Sequence, residues 1–145
     1  MRPVTAGLVF TILLVSGAAR GESASDALKS FGLIGTWSPD CAKDPTKEPG
    51  MRVTYRVPLV GPPTETVVWH APNIIAEEVK WEVKSAVRIT EDKLRVTSIF
   101  LEGKQIGPPY MKRVQITQPS DTLIIRTGKN LQFGDPANIY EKCLN

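Results

Sequence analysis

Few side chains in this sequence could carry bond-making chemistry, and their spacing argues against it. His70 is the only histidine and therefore the only candidate for an unperturbed base near neutrality. It lies in Val68-Trp69-His70-Ala71-Pro72 with no adjacent nucleophile or carboxylate. A catalytic base needs both geometry and a partner, so His70 is expected at a strand end on the rim, and an enzyme using it is the least favoured class. No second histidine completes a metal pair, and no nucleophile elbow or phosphate loop is present. Glu77-Glu78 and Glu91-Asp92 sit among lysines and arginines and read as solvated charge. The expected catalytic, cofactor and metal residues are therefore none, and no cofactor is called for.

Cys41 and Cys143 form the remaining chemical pair. They lack the C-x-x-C spacing of a redox site. In an oxidising compartment they are most simply a disulfide. Trp37, Trp69 and Trp81 either fill a core or wall a small-molecule cavity.

The chain of 145 residues, 41% apolar and 23% charged, fits one compact domain. Arg2 precedes the apolar run Gly7–Ala19, which shrinks to small residues. That order reads as a secretory signal over 1–21, with Ala19 and Gly21 at the positions before a cut at Glu22. The expectation is a single β-barrel domain over 22–145, periplasmic or secreted, with no stable membrane insertion after cleavage. Without Arg2 and Arg20 the 18 basic residues fall to 16 against 15 acidic ones. So small an excess leaves no electrostatic footprint for nucleic acid.

Ser25–Phe31 reads as a short helix with Ser25 as N-cap and Gly32 as stop. The rest reads as strand and turn. Glu78–Thr90 alternates, with Val79, Trp81, Val83, Ser85, Val87 and Ile89 on the expected buried face. Ser85 is a polar intruder there, which points to a bulge or to an interior not fully packed. Lys80, Lys84 and Arg88 lie on the opposite, mixed-charge face. Further strands are expected at Gly35–Ser38, Met51–Val57, Thr64–His70, Lys93–Leu101, Tyr110–Thr117, Thr122–Thr127 and Asn138–Cys143. Glu91-Asp92 suits a tight hairpin, whereas Pro58–Pro63 and Gly128–Pro136 read as loops. Val60-Gly61-Pro62-Pro63 recurs as Ile106-Gly107-Pro108-Pro109, which reads as shared loop chemistry. The architecture expected is all-β, a small antiparallel up-and-down barrel of about 7–9 strands with a short N-terminal helix.

Gly35-Thr36-Trp37, following a short helix, resembles the G-x-W opening of lipocalin-like (calycin-type) barrels. The resemblance implies that Trp37 closes one barrel end beneath the helix, with Leu28 and Phe31 as cover and Gly35 as the motif's glycine. Ile34-Gly-Thr-Trp-Ser-Pro-Asp-Cys41 with a lone partner cysteine near the C-terminus is also similar to small exported bacterial proteins, which implies a cell-envelope setting and no activity.

Two non-enzymatic functions follow: capture of a small apolar ligand inside the barrel, or recognition of an envelope or secreted protein, for example inhibition of a secreted hydrolase. A wide interior would favour the first. A filled interior and an exposed loop such as Pro58–Pro63 would favour the second. The disulfide sets a further condition, because an even-stranded meander places its first and last strands antiparallel and would separate Cys41 from Cys143. Either the strand count is odd, so that first and last strands run parallel, or a turn at Ser38-Pro39-Asp40 brings Cys41 back beside the last strand; the turn chemistry favours the second.

Overall fold

A computed structural model describes residues 21–72, 76–106 and 120–144. Residues 1–20 of the signal expected over 1–21, the strand expected at 110–117 and the second Pro-Pro segment at 107–109 lie outside the described residues. Helix α1 (Ala24–Phe31) is followed by strands β1 (Gly35–Ser38), β2 (Gly50–Arg56), β3 (Thr64–His70), β4 (Ala76–Thr90), β5 (Lys93–Ile106), β6 (Ser120–Thr127), β7 (Asn130–Phe133) and β8 (Ile139–Lys142). The strands pair in sequence order to form a closed eight-stranded barrel. Antiparallel pairing of β8 with β1, Trp37 opposite Lys142, completes the circle.

Helix α1 starts one turn's cap earlier than its composition suggests. Ser23, not Ser25, is the N-cap: its Oγ accepts from Asp26 N at 3.1 Å and donates to the Asp26 carboxylate at 2.7 Å. Three-residue spacing to an acid lets Ser23 satisfy a free helix donor, which Ser25 is not placed to do. The helix ends at Gly32, whose φ of 76° lets Leu33 N–H return to the Leu28 carbonyl at 2.9 Å. Ala27, Leu28 and Phe31 face inward, closing one end of the barrel.

Trp37 sits in this plug with 1% of its surface exposed. Its Nε1–H donates to the Leu33 carbonyl at 2.8 Å, and the Lys142 ammonium lies 5.6 Å from its ring centroid. Gly35 has a φ of 124°, and a Cβ there would meet Lys142 Cε at 3.0 Å. The positive φ favours glycine two residues before the tryptophan, and a larger residue would also displace the Lys142 stem.

Strand β4 departs from the expected alternation. Val79, Trp81 and Val83 face inward, but Val87 and Ile89 are 53% and 52% exposed while Ala86 is buried. A register shift between Val83 and Ser85 leaves Lys84 as an extra residue, opposite no partner on β5. One inserted residue exchanges the two faces for the rest of the strand. Ser85 therefore marks the bulge, and Arg88 turns toward the helix, with its guanidinium 5.4 Å from the Phe31 ring centroid and bonded to Ser30 Oγ at 2.9 Å. Arg126 approaches the same ring at 4.9 Å and donates to the Phe31 carbonyl.

Strand β7 occupies Asn130–Phe133, inside the segment expected to be loop. Its Leu131 and Phe133 are buried. Glu91-Asp92 forms the expected two-residue connection between Thr90 and Lys93.

The cysteines are bridged, with Cα atoms 5.4 Å apart. Even strand number and disulfide coexist because the chain turns after Ser38, whose hydroxyl accepts from Asp40 N at 3.2 Å and meets the Met51 carbonyl at 2.8 Å. Cys41 N then reaches the Glu141 carboxylate at 3.3 Å, while Cys143 N bonds to the Thr36 carbonyl at 2.9 Å. Closing a 102-residue separation contributes roughly 4–5 kcal/mol by the loop-entropy relation. Reduction should lower the thermal midpoint by more than about ten degrees. Equal melting curves with and without reductant would contradict this. Trp37→Ala should cost about 3–5 kcal/mol, read as a lower denaturation midpoint, whereas Trp37→Phe, which loses chiefly the bond to Leu33, should cost less than half of that.

Candidate functional site

The barrel interior is packed from α1 to its middle. Tyr55 and Ile124 expose nothing, and Val83, Val96 and Tyr140 expose 4% or less. A void large enough for a ligand would leave accessible surface on the side chains around it, and these have almost none. Phe133 stacks against Tyr55 at 6.4 Å and meets Tyr140 edge-on at 4.8 Å between centroids. Trp81 meets Phe100 edge-on at 6.0 Å. Trp37 and Trp81 are thus core side chains; Trp69, near the end of β3, is partly exposed.

One charged group enters this packing. Glu65 on β3 points inward, opposite Tyr55 and Trp81 on the neighbouring strands. Its carboxylate accepts from Ser98 Oγ at 3.1 Å. The fully buried Tyr55 phenol faces it without reaching good hydrogen-bond geometry. Burial pushes the Glu65 carboxyl above the ordinary carboxylate range, a rise partly offset by the hydrogen bond from Ser98 and by the facing Tyr55 hydroxyl. Burial, with the Glu65 charge behind it, also drives the Tyr55 hydroxyl well above its usual value. Nothing in the period-two pattern of Thr64–His70 marks Glu65 as special: it shares its face with Val67 and Trp69, and only the register reveals Ser98 and Tyr55 as neighbours.

His70 ends β3, with its Nδ1 buried and lacking a hydrogen-bond partner. Among the described residues no group of histidine, cysteine and carboxylate side chains is arranged to hold a metal ion. Cys41 and Cys143 are joined, and Gly35 and Trp37 meet at the closed end.

The opposite side of the wall offers a different feature. A groove of about 910 Å³ runs over the outer faces of β1 to β5, beneath the β2–β3 connection. Its floor is a cross-strand row: Thr36 lies opposite Thr54, Thr54 opposite Thr66, Thr66 opposite Lys80, and Lys80 opposite Glu102. Thr36 and Thr54 share a hydrogen bond of 3.0 Å, and Lys80 pairs with Glu102 at 3.7 Å. Arg52 and Arg56 flank Thr54 on β2, and Val57, Pro58, Val60 and Pro62 rise beside them as an apolar bank. The Arg52 guanidinium donates to the Lys43 carbonyl. Within the connection, Leu59 is fully exposed and Val60 is 90% exposed. The far end of that segment is anchored by the Pro63 carbonyl, which accepts from Val83 N at 2.9 Å. The alternation of Arg52, Thr54 and Arg56 signals an outward row. That Thr36, Thr66 and Lys80 extend it depends on register between strands, which no local pattern encodes.

Comparisons with family models, curated proteins and solved structures return no match for this chain. The closed antiparallel barrel is consistent with a lipocalin-like form, and no helix among the described residues is long and apolar enough to cross a membrane.

A carboxyl whose folded pKa is raised contributes stability that is complete below its unfolded pKa and is lost as pH rises through the folded value. Glu65→Gln should therefore match the wild type below about pH 4 and be the more stable protein at neutrality. Chemical denaturation at the two pH values checks this. A variant less stable than the wild type at neutral pH would show that the ionised carboxylate is favoured by its surroundings.

Proposed function

We propose that this chain is an exported, non-enzymatic binding protein that recognises an envelope or secreted protein through the Pro58–Pro63 connection. The observation that carries the proposal is the placement of Leu59 and Val60, 106% and 90% exposed, on a short segment flanked by Pro58, Pro62 and Pro63. Apolar side chains held in water by a proline-restrained segment lose little conformational entropy on binding. Their burial by a partner returns the hydrophobic free energy that folding left unused. Packing of the interior from α1 to its middle leaves no room there for a small apolar ligand, which supports this reading over ligand capture. The Cys41–Cys143 bridge supports an oxidising compartment, periplasmic or extracellular. A narrow, braced projection of this kind suits insertion into a partner's cleft, and inhibition of a secreted hydrolase is the form of recognition it favours. On this reading the lipocalin-like barrel is a rigid mount for the projection, and membership of that superfamily in form implies no inherited ligand.

Native mass measurement on protein purified from its own host tests the proposal. The wild type should carry a protein partner, and the double variant Leu59→Asp, Val60→Asp should bind it roughly thirtyfold more weakly, the cost of losing a contact worth about 2 kcal/mol. Because both side chains already lie in water, the variant's melting temperature should not change. A small molecule retained in place of a protein, or undiminished binding by the double variant, would overturn the reading.

A further inference from the structure

Resting on that reading, we infer that the groove beside the loop receives an extended, acidic segment of the partner, laid along β2 with carboxylates reaching Arg52 and Arg56. The charge distribution makes the choice. Among the described residues neither guanidinium has a carboxylate within 4 Å, whereas the cations on the far side of the groove are paired, Lys80 with Glu102 and Lys84 with Glu82. Beyond β3 the glutamates Glu78, Glu82 and Glu102 are matched in number by Lys80, Lys84 and Lys104, the last opposite Glu78 in register, so the outer wall is positive along β2 and close to neutral beyond β3. An acidic strand lying across the barrel would be attracted at one end only, because the charges at the other are already balanced. Lying along β2 it meets only the favourable side.

Spacing adds a second condition. Arg52 and Arg56 are four residues apart on one face of a strand, so their Cα atoms are separated by about 13 Å at the usual rise. An extended partner with carboxylates four residues apart presents them at the same interval and on one face. Between them lie the hydroxyls of Thr54, Thr36 and Thr66, which can bond to a polar segment. Beyond Arg56 the bank of Val57, Pro58, Val60 and Pro62 offers apolar surface, so the segment is completed by an apolar residue just outside its carboxylate pair. Barrel closure leaves β1 and β2 no free edge between them, because each is paired on both sides. Recognition there must run through side chains and not through strand addition.

The test uses the full chain, isotopically labelled, and two short synthetic peptides. One carries two glutamates four residues apart with a leucine beyond the second; the other has lysines in place of the glutamates. The acidic peptide should move the amide signals of Thr36, Thr54, Val60 and Thr66 and bind more weakly as salt is raised. The lysine peptide should not bind. Arg56→Gln should weaken the acidic peptide roughly tenfold, a loss typical of one charge-assisted contact, and Arg52→Gln should add to it. Arg56 is exposed and makes no contact that folding needs, so its variant remains informative if Arg52→Gln disturbs the bond to Lys43. Equal binding of the two peptides, no binding of the acidic one, or signal changes confined to another face would overturn the inference. If the native partner binds the Arg52→Gln, Arg56→Gln variant as tightly as the wild type but loses the Leu59→Asp, Val60→Asp variant, the loop reading stands and the acidic-segment inference fails. The reverse pattern rejects the loop and keeps the groove.

Discussion

The seating of Trp37 is the contact around which the rest of the barrel is organised. Its indole N–H is satisfied by the Leu33 carbonyl at 2.8 Å, which fixes the short link between α1 and β1 and so fixes the helix over the barrel end. Its ring is covered by Lys142 from β8, the strand that must meet β1 for the barrel to close. One side chain therefore ties the first element, the first strand and the last strand together. Gly35 is part of the same device, since its positive φ turns the chain into β1 and its missing Cβ leaves room for the Lys142 stem. The two guanidiniums against Phe31 repeat the arrangement one step away, each adding roughly 0.5–1 kcal/mol where exposed and holding α1 to β4 and β6.

Closure makes demands that the disulfide then reinforces. β1 and β8 share only the pairs Trp37–Lys142 and Ser38–Glu141, a short seam for strands that bring the two ends of the domain together. The Cys41–Cys143 bond lies beside that seam. It restrains the unfolded chain and also limits fraying at this short ladder. The turn at Ser38 is what allows both, because its hydroxyl accepts from Asp40 N and donates to the Met51 carbonyl.

Much of this was legible in the sequence, and the failures have local causes. Period-two alternation located β2, β3 and the first half of β4, and turn chemistry located the Glu91-Asp92 hairpin. The second half of β4 was misread because a bulge inverts the faces while leaving composition unchanged; Ser85 was its only trace. β7 was missed because four residues between Gly128 and Gly134 give too little alternation to outweigh the glycines. Ser25 suits the cap by residue type alone, but a cap acts three residues ahead, and Ser23 is the serine with an acid at that spacing. The groove and the Glu65 cluster were invisible for one shared reason: each is assembled across strands, and register between strands is set by the whole barrel and not by any segment of it.

Register also explains why the inner and outer faces of the same strands differ in character. On β3, Glu65 and Val67 point inward while Thr64, Thr66 and Val68 line the groove, so a single stretch both fills the core and forms the outer floor. A core filled to Tyr55 and Tyr140 holds those strands at fixed positions, since close-packed side chains transmit displacement instead of absorbing it. Glu65 is the exception to that apolar filling and costs stability when ionised, but its bond to Ser98 joins β3 to β5 over the inner face of β4. That link starts on the inner face of β3 between Thr64 and Thr66, which face outward. It stiffens the part of the wall that must remain in place if Arg52 and Arg56, and the loop that follows them, are to meet a partner without rearrangement.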